Sequence, residues 1–230
     1  MAGETVRSEA ICLDIRPWSR TSHVVAWLTP TGRVTTIVKG AVRPKSAFLG
    51  QYDLNYTCDI VYYARARGEM HALRECAPVD LREGLRADYR ALALAGYARK
   101  LADELAPAGE ECRPWYGLLA RFLSSASFGV RELVAYELAV LRLAGTCPDF
   151  SKADPTAEWT PFSVETGALG TAEGRFVRLS REVAAFLADP TRPVKKLQTP
   201  LDAARVIGVF YQFHLDCASD VRRAVLSMIS

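Results

Sequence analysis

The chain has 230 residues, half of them hydrophobic and 24% charged, with a formal net charge of +3. That length buries a real core as one large domain or two small ones, and the composition is that of an ordinary globular protein. So small an excess of positive charge does not by itself point to nucleic acid, and the distribution of charge has to decide.

Met1–Thr5 shows no apolar run behind a basic start, and no stretch approaches the roughly 18 consecutive apolar residues of a membrane helix. The expectation is a cytoplasmic protein. Cys12, Cys58, Cys76, Cys112, Cys147 and Cys217 are scattered singly with no CxxC, which fits buried free thiols in a reducing compartment better than disulfides.

Along the chain, β-branched residues and alternation dominate first. Residues 10–15, 23–29 and 33–38 each predict a strand, and Thr29-Pro30-Thr31-Gly32 supplies a hairpin turn between the last two. Residues 59–64 and 70–76 predict two more, joined by a turn at Arg65-Ala66-Arg67-Gly68-Glu69. Five strands in this span suit a small barrel of OB size.

From about Leu81 the period becomes helical. Tyr89, Leu92, Ala93, Tyr97, Leu101 and Leu105 predict one helix; Trp115, Leu118, Leu119 and Phe122 a second; Leu133, Tyr136, Leu138, Val140 and Leu141 a third. Gly145 is placed to end the third helix, with Pro148 just beyond. Residues 146–178 carry several Pro and Gly and read as irregular. Helices near 180–188 and 201–217 and a short tail after Ser219 complete the chain. The fold class expected is therefore α+β: an N-terminal OB-fold barrel over 1–80, then a mostly helical domain over 81–230.

Between Ile15 and Tyr52 there is no Asp or Glu, while Arg16, Arg20, Arg33, Lys39, Arg43 and Lys45 all fall there. A one-signed segment of this kind is the footprint of phosphate binding. Trp18, Phe48 and Tyr52 lie within or beside it, and nonspecific single-strand binders combine a basic groove with aromatic faces on which bases stack. The competing reading is an ordinary solvated surface with the aromatics in the barrel core. Trp27, in an alternating strand, is expected in the core.

Certain segments resemble a known family. Lys39-Gly40-Ala41-Val42-Arg43-Pro44-Lys45-Ser46 is similar to the Lys-Gly-Ala-x-Arg-x-x-Ser segment that follows the third strand of RecO proteins, and residues 10–22 resemble that family's opening strand and loop. Basic Arg20 departs from the acidic residue usual there. Leu138–Pro148 resembles the family's helix ending in Leu-Leu-x-x-Gly-x-x-Pro, residues 162–169 its Phe-Ser-x-x-x-Gly-Gly segment, and Tyr211–Ser219 its closing helix. The pieces occur in the family's order over essentially the whole chain.

The resemblance implies an OB barrel with a helical domain, binding of single- and double-stranded DNA, and annealing of complementary strands. It also implies work in DNA repair with RecR and the single-strand-binding protein SSB, to help load RecA. Arg43, Lys45 and Ser46 match the family's basic motif. The expected DNA-binding set is then Arg16, Arg20, Arg33, Lys39, Arg43, Lys45 and Ser46, with Trp18 or Phe48 stacking on bases. The acidic, aromatic-tipped tail of SSB needs a basic residue beside an apolar groove, for which Arg131 and Arg142 are candidates. Many family members carry four cysteines between Gly145 and Leu179. This chain has only Cys147 there, with Thr171 and Gly174 in place of cysteine, too few ligands for a structural zinc.

No cofactor and no catalytic site are expected. The Lys45-Ser46 ending suggests a phosphate loop, but Lys39 and Pro44 stand where that motif needs glycine. His23 and His71 sit in strand patterns, and His214 and Asp216 are two apart on a helix and share no face. HExxH and GxSxG are absent. The rival readings are an RNA- or ribosome-associated OB protein, a small cysteine hydrolase using Cys58 or Cys76 with His71, and a scaffold for partner proteins.

Overall fold

A computed structural model describes residues 4–65, 68, 70–107, 112–172, 174–215 and 219–229. The chain forms two compact units, residues 1–125 and 126–230. The expected change of structural type is present, with strands to Asp80 and helices from Glu83. The units divide later, because two helices that follow the strands pack with the barrel.

In the first unit, β1 (Glu4–Ser19), β2 (Ser22–Thr29), β3 (Gly32–Val38), β4 (Thr57–Ala64) and β5 (Met70–Asp80) close into a barrel in the order β1-β2-β3-β5-β4. β1 makes closure possible. Its first half pairs with β4 from Glu4↔Ala64 to Ile11↔Thr57, and its second half pairs with β2 from Ile11↔Leu28 to Ser19↔Ser22. A register shift between Cys12 and Asp14 bends the strand where it changes partner, as a bulge does in small barrels. A short parallel pairing of β3 with β5 over Thr35–Ile37 completes the ring. This is the expected OB architecture. Of the turn expected between β4 and β5, Ala66, Arg67 and Glu69 lie outside the described residues.

The barrel core gathers Ala10, Cys12, Val25, Trp27, Val38, Cys58, Ile60, Tyr62 and Leu73. Trp27 is fully buried, and its indole N–H donates to Thr36 Oγ1 at 2.8 Å, so the polar edge of the ring is satisfied inside the core. Cys58 and Cys76 both direct their thiols at the Gln51 carbonyl, at 3.6 Å. A hydrogen bond to Cys76, then burial, pushes the Cys58 thiol far above its ordinary range, and burial does the same to Cys12. Thiolates are the reactive form. In the folded protein Cys12 and Cys58 are thus expected to resist alkylation by iodoacetamide at pH 8 and to react only on unfolding; labelling of the native protein at either site within minutes would contradict this packing. Cys217 lies outside the described residues.

Helix α1 (Glu83–Arg86) is one turn. α2 (Tyr89–Leu105) is capped by Asp88, whose carboxylate accepts from Arg90 N at 2.9 Å, and α3 (Arg113–Leu123) follows. The buried face of α2 is Ala91, Leu94, Ala95, Tyr97, Ala98, Leu101 and Ala102; it keeps Tyr97 and Leu101 of the expected face, while Tyr89 and Leu92 are 64% and 47% exposed. Alanines let the helix approach the barrel closely, and that close face outweighs the two larger outward residues.

In the second unit, α4 (Val130–Leu143) ends as expected at Gly145, which takes φ +72° while Thr146 N donates to Leu141 O at 3.0 Å. The segment expected to be irregular holds more order. A 3-10 turn at Phe150–Lys152 precedes β6 (Trp159–Ser163), which pairs antiparallel with β7 (Phe176–Ser180). Pro161 hides β6 from the sequence pattern, yet it is tolerated because this is an isolated two-stranded sheet whose strands are both edges. Phe162, beneath it, packs against Phe150 and Phe210 with ring centres 5.4 and 5.7 Å away. α5 (Arg181–Ala188), capped by Ser180, and α6 (Gln198–His214) match the last two expected helices. The expected tail after Ser219 is instead a helix, α7 (Ser219–Ile229), pinned by a buried ion pair between Arg222 and Glu137. Among the described residues, no helix is long and apolar enough to cross a membrane.

Candidate nucleic-acid interface

Two neighbouring turns build the site at one end of the barrel. β1 ends in Arg16-Pro17-Trp18-Ser19, turns through Arg20-Thr21, and returns as β2 from Ser22. β3 runs back beside β2 as far as Val38↔His23, so the chain leaves it at Lys39-Gly40 next to that turn. Gly40 N donates to Ser22 Oγ at 3.3 Å and Val42 N to Thr21 O at 3.4 Å, tying the two loops together. Gly40 takes φ +67°, which reverses the chain sharply here. Successive turns follow, Arg43 N to Gly40 O, Ser46 N to Arg43 O and Leu49 N to Ser46 O, and they hold a polar loop without a helix or strand.

The result is a groove of about 480 Å³ lined by Trp18, Ser19, Thr21, Ser22, Ile37, Lys39, Gly40 and Arg43. Its lining has hydroxyls and cations but no carboxylate. Trp18 is 58% exposed, an aromatic face open to solvent. Among the described residues, no carboxylate comes within ion-pair distance of Arg20, Lys39, Arg43 or Lys45. Uncompensated cations around a concave surface concentrate positive potential, which attracts anions.

The structure brings together Trp18, Lys39 and Arg43, with Arg20 and Lys45 on the flanking loops. Other expected residues stand apart. Arg33 lies at the opposite end of β3 from Lys39, roughly 20 Å along the strand, and pairs with Asp103 of α2 at 2.5 Å. Arg16 is exposed but paired with Asp14. Phe48 is partly buried and packs on the barrel core, and Ser46 Oγ accepts from Phe48 N at 3.2 Å, fixing its own turn. Tyr52 faces inward too, edge-on to Trp27 and hydrogen-bonded to His23 at 2.9 Å. Thr21 and Ser22 were not singled out by sequence reasoning. Their signal was position alone, in a short polar turn within the acid-free segment.

Gly40 offers a direct check. A Cβ there meets the Arg43 side chain at 3.3 Å, and the left-handed backbone costs a non-glycine residue about 1–2 kcal/mol. Gly40→Ala is expected to lower the melting temperature by a few degrees and to weaken anion binding by displacing Arg43. A variant with unchanged melting and binding would show that the turn does not set the groove.

In the second unit, Arg131 donates to the Pro190 and Arg192 carbonyls and lies over the Phe186 ring, 5.0 Å from its centre. It braces one wall of a groove of about 660 Å³ of mixed charge, lined by Arg181, Arg192 and Lys195, by Asp154, Glu182 and Asp189, and by Phe186. Arg142 is exposed in the last turn of α4 and does not line this groove.

Histidines and thiols do not assemble into a reactive pair among the described residues. His71 Nδ1 accepts from Arg65 N and its ring stacks on Tyr62; His214 bonds the Val164 carbonyl at 2.8 Å. Asp216 lies outside the described residues. Among the described residues, no three His, Cys, Asp or Glu side chains are placed to hold a metal ion.

A closed five-stranded OB barrel with a basic, aromatic groove at one end, followed by helices, defines a class of small OB-barrel proteins joined to a helical region. Family comparison makes the class specific: residues 1–82 match the family described as recombination protein O N terminal, and residues 86–217 match recombination protein O C terminal. The chain belongs to the RecO family. It is similar to the DNA repair protein RecO of Roseiflexus sp. (strain RS-1), 29% identical over 151 residues, covering 64% of this chain and 53% of that one. The DNA repair protein RecO of Geobacter metallireducens is 32% identical over 127 residues, 55% of this chain and 51% of the relative. That of Alkaliphilus metalliredigens is 26% identical over 149 residues, 62% and 59%. The similarity thus spans just over half the length of these relatives.

Proposed function

We propose that the chain binds single-stranded DNA at the barrel groove and anneals complementary strands during DNA repair, without catalysing a covalent step. The observation that carries this reading is the juxtaposition of Trp18, Lys39 and Arg43 in a groove free of carboxylates. Strand pairing is opposed by phosphate repulsion, and a basic surface that holds both strands screens it. Trp18 offers a stacking face to a base, and the cations meet the backbone on either side. The names of the relatives support the setting, since each is a DNA repair protein.

In this reading the protein works in the cytoplasm at the nucleoid, with RecR and SSB, to help RecA onto single strands. The acidic SSB tail docks on the second unit. Support comes from the groove braced by Arg131, where Arg192 and Lys195 stand beside Phe150 and Val194; Asp154, Glu182 and Asp189 line the same groove, so only its basic side suits an acidic tail.

The test is annealing of complementary oligonucleotides by purified protein, alongside binding of DNA and RNA strands of equal length. Acceleration of annealing that fades as salt rises is expected, with DNA bound at least as well as RNA. A strong preference for RNA would point instead to a reader of the 2′-hydroxyl. Failure to bind either at low salt would leave a scaffold for partner proteins.

A further inference from the structure

The β6–β7 hairpin of the second unit presents a second surface with the chemistry of the barrel groove. Its register places Trp159↔Ser180, Pro161↔Arg178 and Ser163↔Phe176 on one face. The alternate residues, Thr160, Phe162 and Leu179, are buried on the other. The outward face therefore carries two aromatic rings and an arginine on adjacent strands. Trp159 and Phe176 are 39% and 37% exposed, too open for core residues of their size. Arg178 stacks over the Trp159 ring with its guanidinium carbon 4.6 Å from the ring centre, which keeps the cation at the surface beside the aromatic face.

The platform is also rigid. Phe162 anchors it to Phe150 and Phe210, Val164 N donates to Arg175 O at 2.9 Å, and Ser163 N donates to Ala168 O at 2.9 Å. Arg178 has no carboxylate within ion-pair distance among the described residues, whereas nearby Glu182 is paired with Lys196. Aromatic rings with an unneutralised arginine on a fixed sheet fit unpaired bases and a phosphate. A protein partner's apolar anchor would have no use for the uncompensated cation.

We infer that the outward face of this hairpin is a second single-strand contact, with Trp159 and Phe176 stacking on bases and Arg178 meeting phosphate. It rests on the reading that the chain handles single-stranded DNA, and adds a site on the second unit that the barrel does not supply.

The experiment uses the full chain and an oligonucleotide of about 40 residues carrying 5-iodouracil, which photocouples to aromatic side chains; cross-linked peptides are then identified by mass spectrometry. Cross-links at Trp159 or Phe176 are expected, and they should persist in the Lys39→Glu, Arg43→Glu double variant. Trp159→Ala with Arg178→Glu should weaken binding of the same strand by about five- to 150-fold, the range that loss of one stacked base gives. Both side chains face outward, so the variant should melt close to wild type. Should it unfold, Arg178→Gln and the wild-type cross-links decide instead. Cross-links confined to barrel peptides, with affinity unchanged in the hairpin variant, would overturn this inference and leave the proposed function standing. Absence of binding and of any cross-link would sink both.

Discussion

Arg222→Ala is expected to cost the second unit about 3–5 kcal/mol, the range for stripping one partner from a buried ion pair. Glu137 of α4 is fully buried. Arg222 of α7 reaches it through two bonds, Nε to Oε1 at 2.6 Å and Nη2 to Oε2 at 2.9 Å, and Nη2 also donates to the Ala204 carbonyl of α6 at 2.7 Å. One side chain therefore ties α4, α6 and α7 together. Gly208 of α6 makes room for it, because a Cβ there would run into the guanidinium. Removing the guanidinium strands a carboxylate in an apolar interior, and relaxation cannot bring it to water without opening the helices.

A thermal melt checks this: at about 4 °C or more per kcal/mol for a unit of this size, the transition should fall by upwards of 10 °C. Replacing both partners, Glu137→Met with Arg222→Met, should recover most of the loss, since a packed apolar pair removes the desolvation penalty along with the attraction. A shift of under two degrees for Arg222→Ala would show that the pair is not what holds α7 down.

The second large effect concerns the groove. Lys39→Glu with Arg43→Glu should reduce affinity for single-stranded DNA roughly 50-fold at 50 mM salt and make the log–log salt dependence shallower by about 1.4, as loss of two phosphate contacts requires. Both residues line the groove, both are exposed, and neither has a carboxylate partner among the described residues, so the substitutions break no ion pair seen in the fold. Arg33→Glu is the informative contrast. It also reverses a charge in the acid-free segment, but Arg33 already pairs with Asp103 at the other end of β3, so binding should hardly change. Equal losses in the two variants would mean that binding follows net charge and not the groove.

Much of this molecule was legible in its sequence. Alternation marked all five barrel strands, because each has one face in the core, and Gly145 marked the end of α4 because only a left-handed residue closes that turn well. The acid-free stretch located the groove, since charge sign survives whatever the loop conformation. Composition did not say which of those cations are free. Arg33 and Arg16 are neutralised by Asp103, 70 positions away, and Asp14, two positions away, and only the fold brings the distant partner into contact. Phe48 and Trp18 look alike as aromatic residues near basic ones, yet one packs on the barrel and the other faces solvent.

The second unit was harder to read. The periodicity of α7 is short, and Arg222 looks like a surface residue until Glu137, 85 positions earlier, is placed opposite it. In β6 and β7, five-residue strands with a proline carry too little alternation to stand out, and their order comes from the phenylalanines packed beneath them.

The measurement that tests the central claim most directly is the affinity of the wild-type chain for an oligothymidine strand across a salt series. With Arg20, Lys39, Arg43 and Lys45 each meeting a phosphate, the barrel groove alone accounts for a log–log slope of about −2.8 at the single-strand value of roughly −0.7 per contact, and a hairpin contact at Arg178 steepens it to about −3.5. A slope near zero, or no binding at 50 mM salt, would contradict the assignment of the barrel groove as a nucleic-acid site.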